Sequence, residues 1–149
     1  MATGNYFSLL PLIMQRLQDA QIEGLGDILP ARDLHLLEEG RVSDACVYVL
    51  YDGEAVPGGE EGNQGYLQLV TQRWLVVLAT KNYATPAHGD MDRAGPILWE
   101  INRALQGWRP GPGLGMLRKI SSPRPSYMEK NALYPLAYAS DIQTEGEEM

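Results

Sequence analysis

Thiol and imidazole chemistry have little material here: the 149 residues include one cysteine, Cys46, and two histidines, His35 and His88. One thiol cannot form an internal disulfide. Cys46 sits in an apolar run, so a buried, reduced thiol is its expected state. Basic residues are scarce as well, with 12 Lys and Arg against 19 Asp and Glu and a net charge of −7. A sequence-specific DNA binder needs a basic face to neutralise phosphates, so that class is disfavoured. No apolar stretch approaches the roughly 20 residues of a membrane span. The N-terminus lacks the basic flank and apolar core of a secretion signal. Internal repeats and long low-complexity segments are also missing. These absences point to a soluble chain made in a reducing cytoplasm.

What is present suits a single globular domain over residues 1–149, large enough to bury a real core, with an acidic, flexible tail from about 143. Hydrophobic residues make up 44%, an ordinary share. Sixteen glycines and ten prolines require several turn-rich connections. Charge is unevenly spread. Residues 1–62 hold three arginines against eleven carboxylates, whereas residues 63–140 hold nine bases against four carboxylates. A subunit polarised in this way can pair one face with the opposite face of a neighbour. An uneven solvated surface explains the same pattern.

Residues 5–22 read as a helix, with Tyr6, Leu9, Leu10, Ile13, Leu17 and Ala20 at three- and four-residue steps. Pro11 suggests a true start near Ser8, and Gly24 and Gly26 end the element. Residues 25–45 form an irregular acidic connector with a short strand around Leu34–Leu37. Residues 46–52 and 66–80 read as strands, apolar on both faces over much of their length. The Gly-rich stretch 53–65 between them reads as a long acidic hairpin tip. A second helix covers 92–106, capped by Asp90 or Asp92, with Pro96 in its first turn. Ile97, Leu98, Ile101 and Leu105 form its buried stripe, and Gly107 stops it. Strands follow at 114–121 and 132–143, and Pro135 marks an edge position or a bulge in the last. The expected fold is α+β: a four-stranded antiparallel or mixed sheet with two helices on one face, in the order α-β-β-α-β-β. The other face also carries apolar residues, which implies cover by another chain.

Motifs that could carry chemistry fail on inspection. An EF-hand beginning at Asp90 places Gly95 correctly but has Ile101 where the bidentate carboxylate belongs; helix capping explains His88, Asp90 and Asp92. His35 has no Ser, Cys or second His at ligand spacing. Glu38-Glu39 and Glu60-Glu61 read as solvated charge. The hairpin tip carries carboxylates where a phosphate loop needs a Lys and a Ser or Thr. Gly111, Gly113 and Gly115 follow a helix instead of opening one, the wrong context for a dinucleotide site. No catalytic residue, metal site or cofactor is assigned.

Candidates for subunit or tube contacts are the large anchors and charged groups. Trp74 falls on the strand pattern of the core. Trp99 lies off the main stripe of its helix. Trp108, followed by Arg109 and Pro110, can staple the helix to the sheet. Aromatics and Arg are common interface anchors. Arg118, Lys119, Arg124 and Lys130 form a local basic group suited to an acidic neighbour or to passing DNA without base reading. Glu60 and Glu61 supply acid at the hairpin tip.

The second half resembles phage tail terminator (tail completion) proteins of long-tailed bacteriophages. The matching residues are Trp74-Leu75-Val76-Val77-Leu78-Ala79 with Asn82-Tyr83, then Ala94-Gly95-Pro96-Ile97-Leu98. Ala104-Leu105-Gln106-Gly107-Trp108-Arg109-Pro110 and Tyr134-Pro135-Leu136-Ala137-Tyr138 complete the resemblance, which extends more loosely to the first helix. It implies a structural, non-enzymatic virion protein of the tail and neck, assembled in the host cytoplasm. Such a subunit closes a ring, expected to be a homohexamer, on the last ring of the tail tube. The ring stops tube polymerisation and docks the head-tail connector or stopper, and genomic DNA passes through its lumen. Contacts are expected on the open sheet face, the tip at 53–65 and the loop at 82–90. Two rivals remain. A neck adaptor or tail-tube subunit is one, and a tube protein would polymerise into filaments by itself. A small enzyme or ligand-binding domain would enclose a polar pocket, for which the sequence offers no constellation.

Overall fold

The computed structural model describes residues 4–33, 44–56, 67–81, 91–128 and 130–147. Helix α1 spans Leu9–Asp19. Leu9, Ile13 and Leu17 recur every fourth residue and are fully buried, each worth about 1.5–3 kcal/mol relative to exposure. Ser8 is the N-terminal flanking residue, and Pro11 is the third helical residue. A missing N–H costs nothing there, because the first turn has no carbonyl to receive it. The helix is therefore shorter than 5–22. Residues 5–8 form a turn instead, with the Phe7 N–H donating to Asn5 Oδ1 at 2.9 Å. At the other end the chain reverses through Gln21, in left-handed backbone at φ 47°, before it reaches Gly24 at φ 87°.

Helix α2 spans Met91–Leu105 and buries Ala94, Ile97, Ile101, Ala104 and Leu105. It starts one residue earlier than the reading of 92–106. Pro96 becomes the sixth helical residue instead of part of the first turn, so the carbonyl of Asp92 loses its N–H partner. Asp92 lies in the first turn, where the helix dipole favours a carboxylate. Asp90 lies outside the described residues. Gly107 follows the helix at φ 79°, the left-handed stop its position suggested.

The sheet corrects the expected four strands to six among the described residues, mixed in direction. They are β1 (Ile28–Pro30), β2 (Ala45–Ala55), β3 (Leu67–Lys81), β4 (Arg118–Ile120), β5 (Ser126–Tyr127) and β6 (Asn131–Glu145). Their order across the sheet is β1-β2-β3-β6-β4, with β5 also paired to β6. β1 runs parallel to β2, and the other pairings are antiparallel. The element order therefore gains a strand after α1 and another before β6. Among the described residues, the connector at 25–45 holds the three-residue β1 and a 3-10 turn at Ala31–Asp33. The strand expected at Leu34–Leu37 lies outside the described residues.

Strands β3 and β6 pair along their whole length, from Leu67 opposite Glu145 to Lys81 opposite Asn131. Register along β2 shifts between Tyr51 and Glu54, where Gly53 adopts φ 90°, as a bulge requires. The strand expected at 114–121 is interrupted: Leu114 closes a turn with Gly111 and bridges to Ile142 of β6, and regular pairing resumes at Arg118–Ile120. Pro135 lies in an inner strand, but at a gap where one side of β6 has no partner strand among the described residues, so its position is locally an edge. It pairs with Val77 on one side. On the other it falls between Leu133, opposite Ser126, and Ala137, opposite Ile120. The N–H of Ala137 points away from β3, donating to Ser122 Oγ at 3.0 Å. Two residues along, Pro135 has the same orientation, so its missing N–H costs the β3 ladder nothing.

Both helices share one core with the odd residues of β2 and the even residues of β3 and β6, among them Val47, Val49, Trp74, Val76, Leu78 and Tyr138.

Candidate interaction surfaces

The sheet face away from this core carries Cys46, Tyr48 and Leu50 of β2 and the odd residues of β3 and β6. It divides along its length. Near β1, Cys46, Tyr48 and Ala79 are buried, with Leu29, Leu50 and Leu133 packed around them. Toward the start of β3, Leu67 and Leu69 are 39% and 51% exposed. Beside them stands a polar network. Thr71 Oγ1 donates to Asp141 Oδ1 at 2.6 Å, and Arg118 Nη1 donates to Asp141 Oδ2 at 3.2 Å. The side chain of Arg73 passes close to Gly53: a Cβ at that glycine would lie 3.5 Å from Nη2. The apolar surface of this face is thus partly buried already, and its exposed portion lies beside charge.

The helix side presents two further features. A groove of about 400 Å³ runs between α1 and the β1 edge, lined by Phe7, Leu10, Met14, Pro30, Tyr51 and Trp74 among others. An aromatic cluster builds its floor: Phe7 meets Tyr51 and Trp74 edge-on at 4.9 and 6.3 Å between ring centroids. Buried Gln72 fixes the approach of the N-terminal segment by donating from Nε2 to the Tyr6 carbonyl at 2.8 Å, while its Oε1 accepts from Trp74 Nε1. The hydroxyls of Tyr6 and Tyr51 both donate to Glu54 Oε1. That hydrogen bond to the carboxylate is the main reason the Tyr6 phenol is pushed up to about 12, with desolvation adding to it. The second feature is Trp99, 70% exposed on α2.

The nominated contact residues do not converge. Trp74 is 2% exposed and belongs to the core, at the floor of the groove. Trp108 is half-buried at the end of α2, with the Arg16 guanidinium 5.4 Å from its ring centroid. Its carbonyl accepts from Leu117 N, and Gly107 N donates to the Leu117 carbonyl, both at 2.9 Å. These backbone bonds tie the helix end to the segment that leads into β4, while the indole itself packs against α1. Arg109 and Arg124 are exposed in loops. Arg118 and Lys119 diverge: one joins the open-face network, and the other reaches over the Tyr138 ring at 5.8 Å. Glu60, Glu61, most of the tip at 53–65 and the loop at 82–90 lie outside the described residues, as do His35, His88 and Glu38-Glu39. The groove escaped sequence reasoning. Its signal was Phe7 beside Tyr6, with Leu10 and Met14 flanking the helix stripe.

No described arrangement suits covalent or metal chemistry. Burial pushes the Cys46 thiol up to about 11, so it stays protonated and weakly nucleophilic at neutral pH. Among the described residues no group of His, Cys, Asp and Glu could hold a metal ion, and no helix is long and apolar enough to cross a membrane. The surfaces offered are apolar and charged patches, which suit assembly with other chains.

Comparison with known families agrees with that chemistry. A family model described as phage tail terminator protein matches residues 3–147. No curated protein matches the sequence.

Proposed function

This chain belongs to the phage tail terminator family, and from that premise we propose that its copies close a ring, six to a turn, on the last ring of the tail tube. The family is one of virion structural proteins that complete the tail, which places the chain in the phage tail and in association with tube and head components. The proposed ring blocks further tube subunits, docks the head-tail connector on its outer face, and lets genomic DNA pass through its lumen. The supporting observation is a match spanning 145 of the 149 residues, from 3 to 147.

Physical chemistry supports the same reading. Termination requires one ring face that fits the tube and another that tube subunits cannot use. A chain that is acidic over residues 1–62 and basic over 63–140 can place opposite charges across each subunit boundary. Its net negative charge disfavours adhesion of passing phosphate. Exposed Trp99, Arg109, Arg118 and Arg124 are assigned to contacts, together with Glu60 and Glu61 of the hairpin tip. Trp74 acts through the core and the floor of the groove.

Negative-stain imaging of the purified protein, alone and mixed with polymerising tube protein, tests the proposal. Six-fold rings, and tubes shortened and capped at one end, are the expected images. Long filaments formed by this chain alone would identify a tube subunit instead. A monomer that neither forms rings nor caps tubes would refute the proposal.

A further inference from the structure

Two apolar features on the helix side are opposite in shape and cannot meet within one chain. Trp99 is the most exposed large hydrophobic residue among those described. It lies on the side of α2 opposite Ile97 and Ile101, so its indole points away from the sheet. The groove lies on the far flank of α1. Leu10 and Met14, which line it, fall on one side of that helix's buried stripe. Arg16 falls on the other, where its Nε donates to the Ala104 carbonyl of α2 at 2.9 Å. Helix α1 therefore stands between the indole and the groove.

We infer that Trp99 of one subunit seats in the α1–β1 groove of the next, forming the repeating contact of the ring. This rests on the ring reading above. A head-to-tail ring needs two different surfaces on one chain that fit each other, and a protruding indole with an apolar groove is such a pair. A groove of about 400 Å³ is within the range that encloses a small aromatic group. Phe7, Tyr51 and Trp74 offer ring edges and faces to an incoming indole. Charge agrees with the shape. Asp92 lies two turns before Trp99 on the same side of α2, and Arg32 lines the groove. Seating the indole brings these opposite charges to one boundary, which favours the correct orientation. A tryptophan enclosed at the centre of a contact and ringed by polar groups is a common anchor of binding energy.

The test uses the full chain in four samples: wild type, Trp99→Ala, Ala31→Trp, and an equal mixture of the two variants. Ala31 is exposed and lines the groove, so a tryptophan there occupies the groove without replacing a core residue. Circular dichroism confirms that both variants fold. Sedimentation velocity and negative stain, with tube ends present if closure needs them, then report assembly. Neither variant alone should close rings, with subunit association weakened about 30-fold or more. The mixture, with one intact knob and one intact groove per pair, should stop at heterodimers. If wild type forms rings and Trp99→Ala forms them equally well, this inference is overturned while the ring reading stands. Failure of both variants with no heterodimer in the mixture overturns it too. If wild type never forms rings, the ring reading itself fails.

Discussion

At position 115 the chain has no room for a methyl group. A Cβ there would lie 2.7 Å from the Asp141 carbonyl oxygen and 3.1 Å from its amide nitrogen, both backbone atoms of β6. The close approach serves two hydrogen bonds, Gly115 N to the Asp141 carbonyl at 2.8 Å and Ser140 Oγ to the Gly115 carbonyl at 2.8 Å. Neighbouring Gly111 meets nothing within 4 Å. Gly115→Ala should therefore destabilise the fold by about 1–3 kcal/mol through overpacking, while Gly111→Ala should stay within about 0.5 kcal/mol. Urea denaturation of both variants checks the contrast. Sequence alone showed the spaced glycines as a turn but could not separate them. Gly113 supplies positive φ, whereas Gly115 supplies clearance against a strand 26 residues later in the chain. Clearance depends on tertiary approach and leaves no local signal. The tryptophans show the same limit. Alternation along β3 placed Trp74 in the core, and helical spacing placed Trp99 off its stripe. The groove joins side chains from α1, β1, β2 and β3, so no local pattern announced it.

Elements with long periodic patterns were the legible ones. Helix α2 and strands β2 and β3 emerged near their true limits, because three to five repeats of a buried position outweigh any single residue. Helix α1 was read too long. Tyr6 and Ala20 fit its stripe, yet Asn5 and Gln21 hold the flanking backbone in turns. Strands β1, β5 and the short β4 could not be read accurately, since two or three residues show no period; each exists because a longer strand offers it an edge. The end of α2 shows how a local signal and a distant contact reinforce each other. Gly107 takes φ 79°, and its N–H meets the Leu117 carbonyl. Left-handed backbone costs a residue with a Cβ about 1–2 kcal/mol, so Gly107→Ala should lower stability by that amount. Its Cβ would meet nothing within 4 Å, so the loss comes from backbone strain alone. A second variant, Gly107→Asn, should recover part of it, because Asn tolerates this conformation better than Ala. Thermal melts of the pair measure the difference.

At the scale of the whole molecule, the proposed ring divides the work of assembly between charge and apolar shape. In the proposed ring, the acidic stretch 1–62 and the basic stretch 63–140 would act over roughly a Debye length, about 10 Å at 0.1 M salt, and steer subunits toward head-to-tail encounter. The proposed seating of the indole in the groove would act only at contact and resist separation. Steering changes the rate of association, whereas desolvated apolar contacts set the rate of dissociation. Raising salt from about 0.05 M to about 0.5 M shortens the Debye length roughly threefold. Ring assembly from monomers, followed by stopped-flow light scattering, should slow by about tenfold or more across that range. Disassembly after dilution should change by no more than about twofold, because burial of apolar surface does not rely on long-range charge. Dissociation that accelerates as steeply as association slows would show that ion pairs, and not the indole, hold the subunits together.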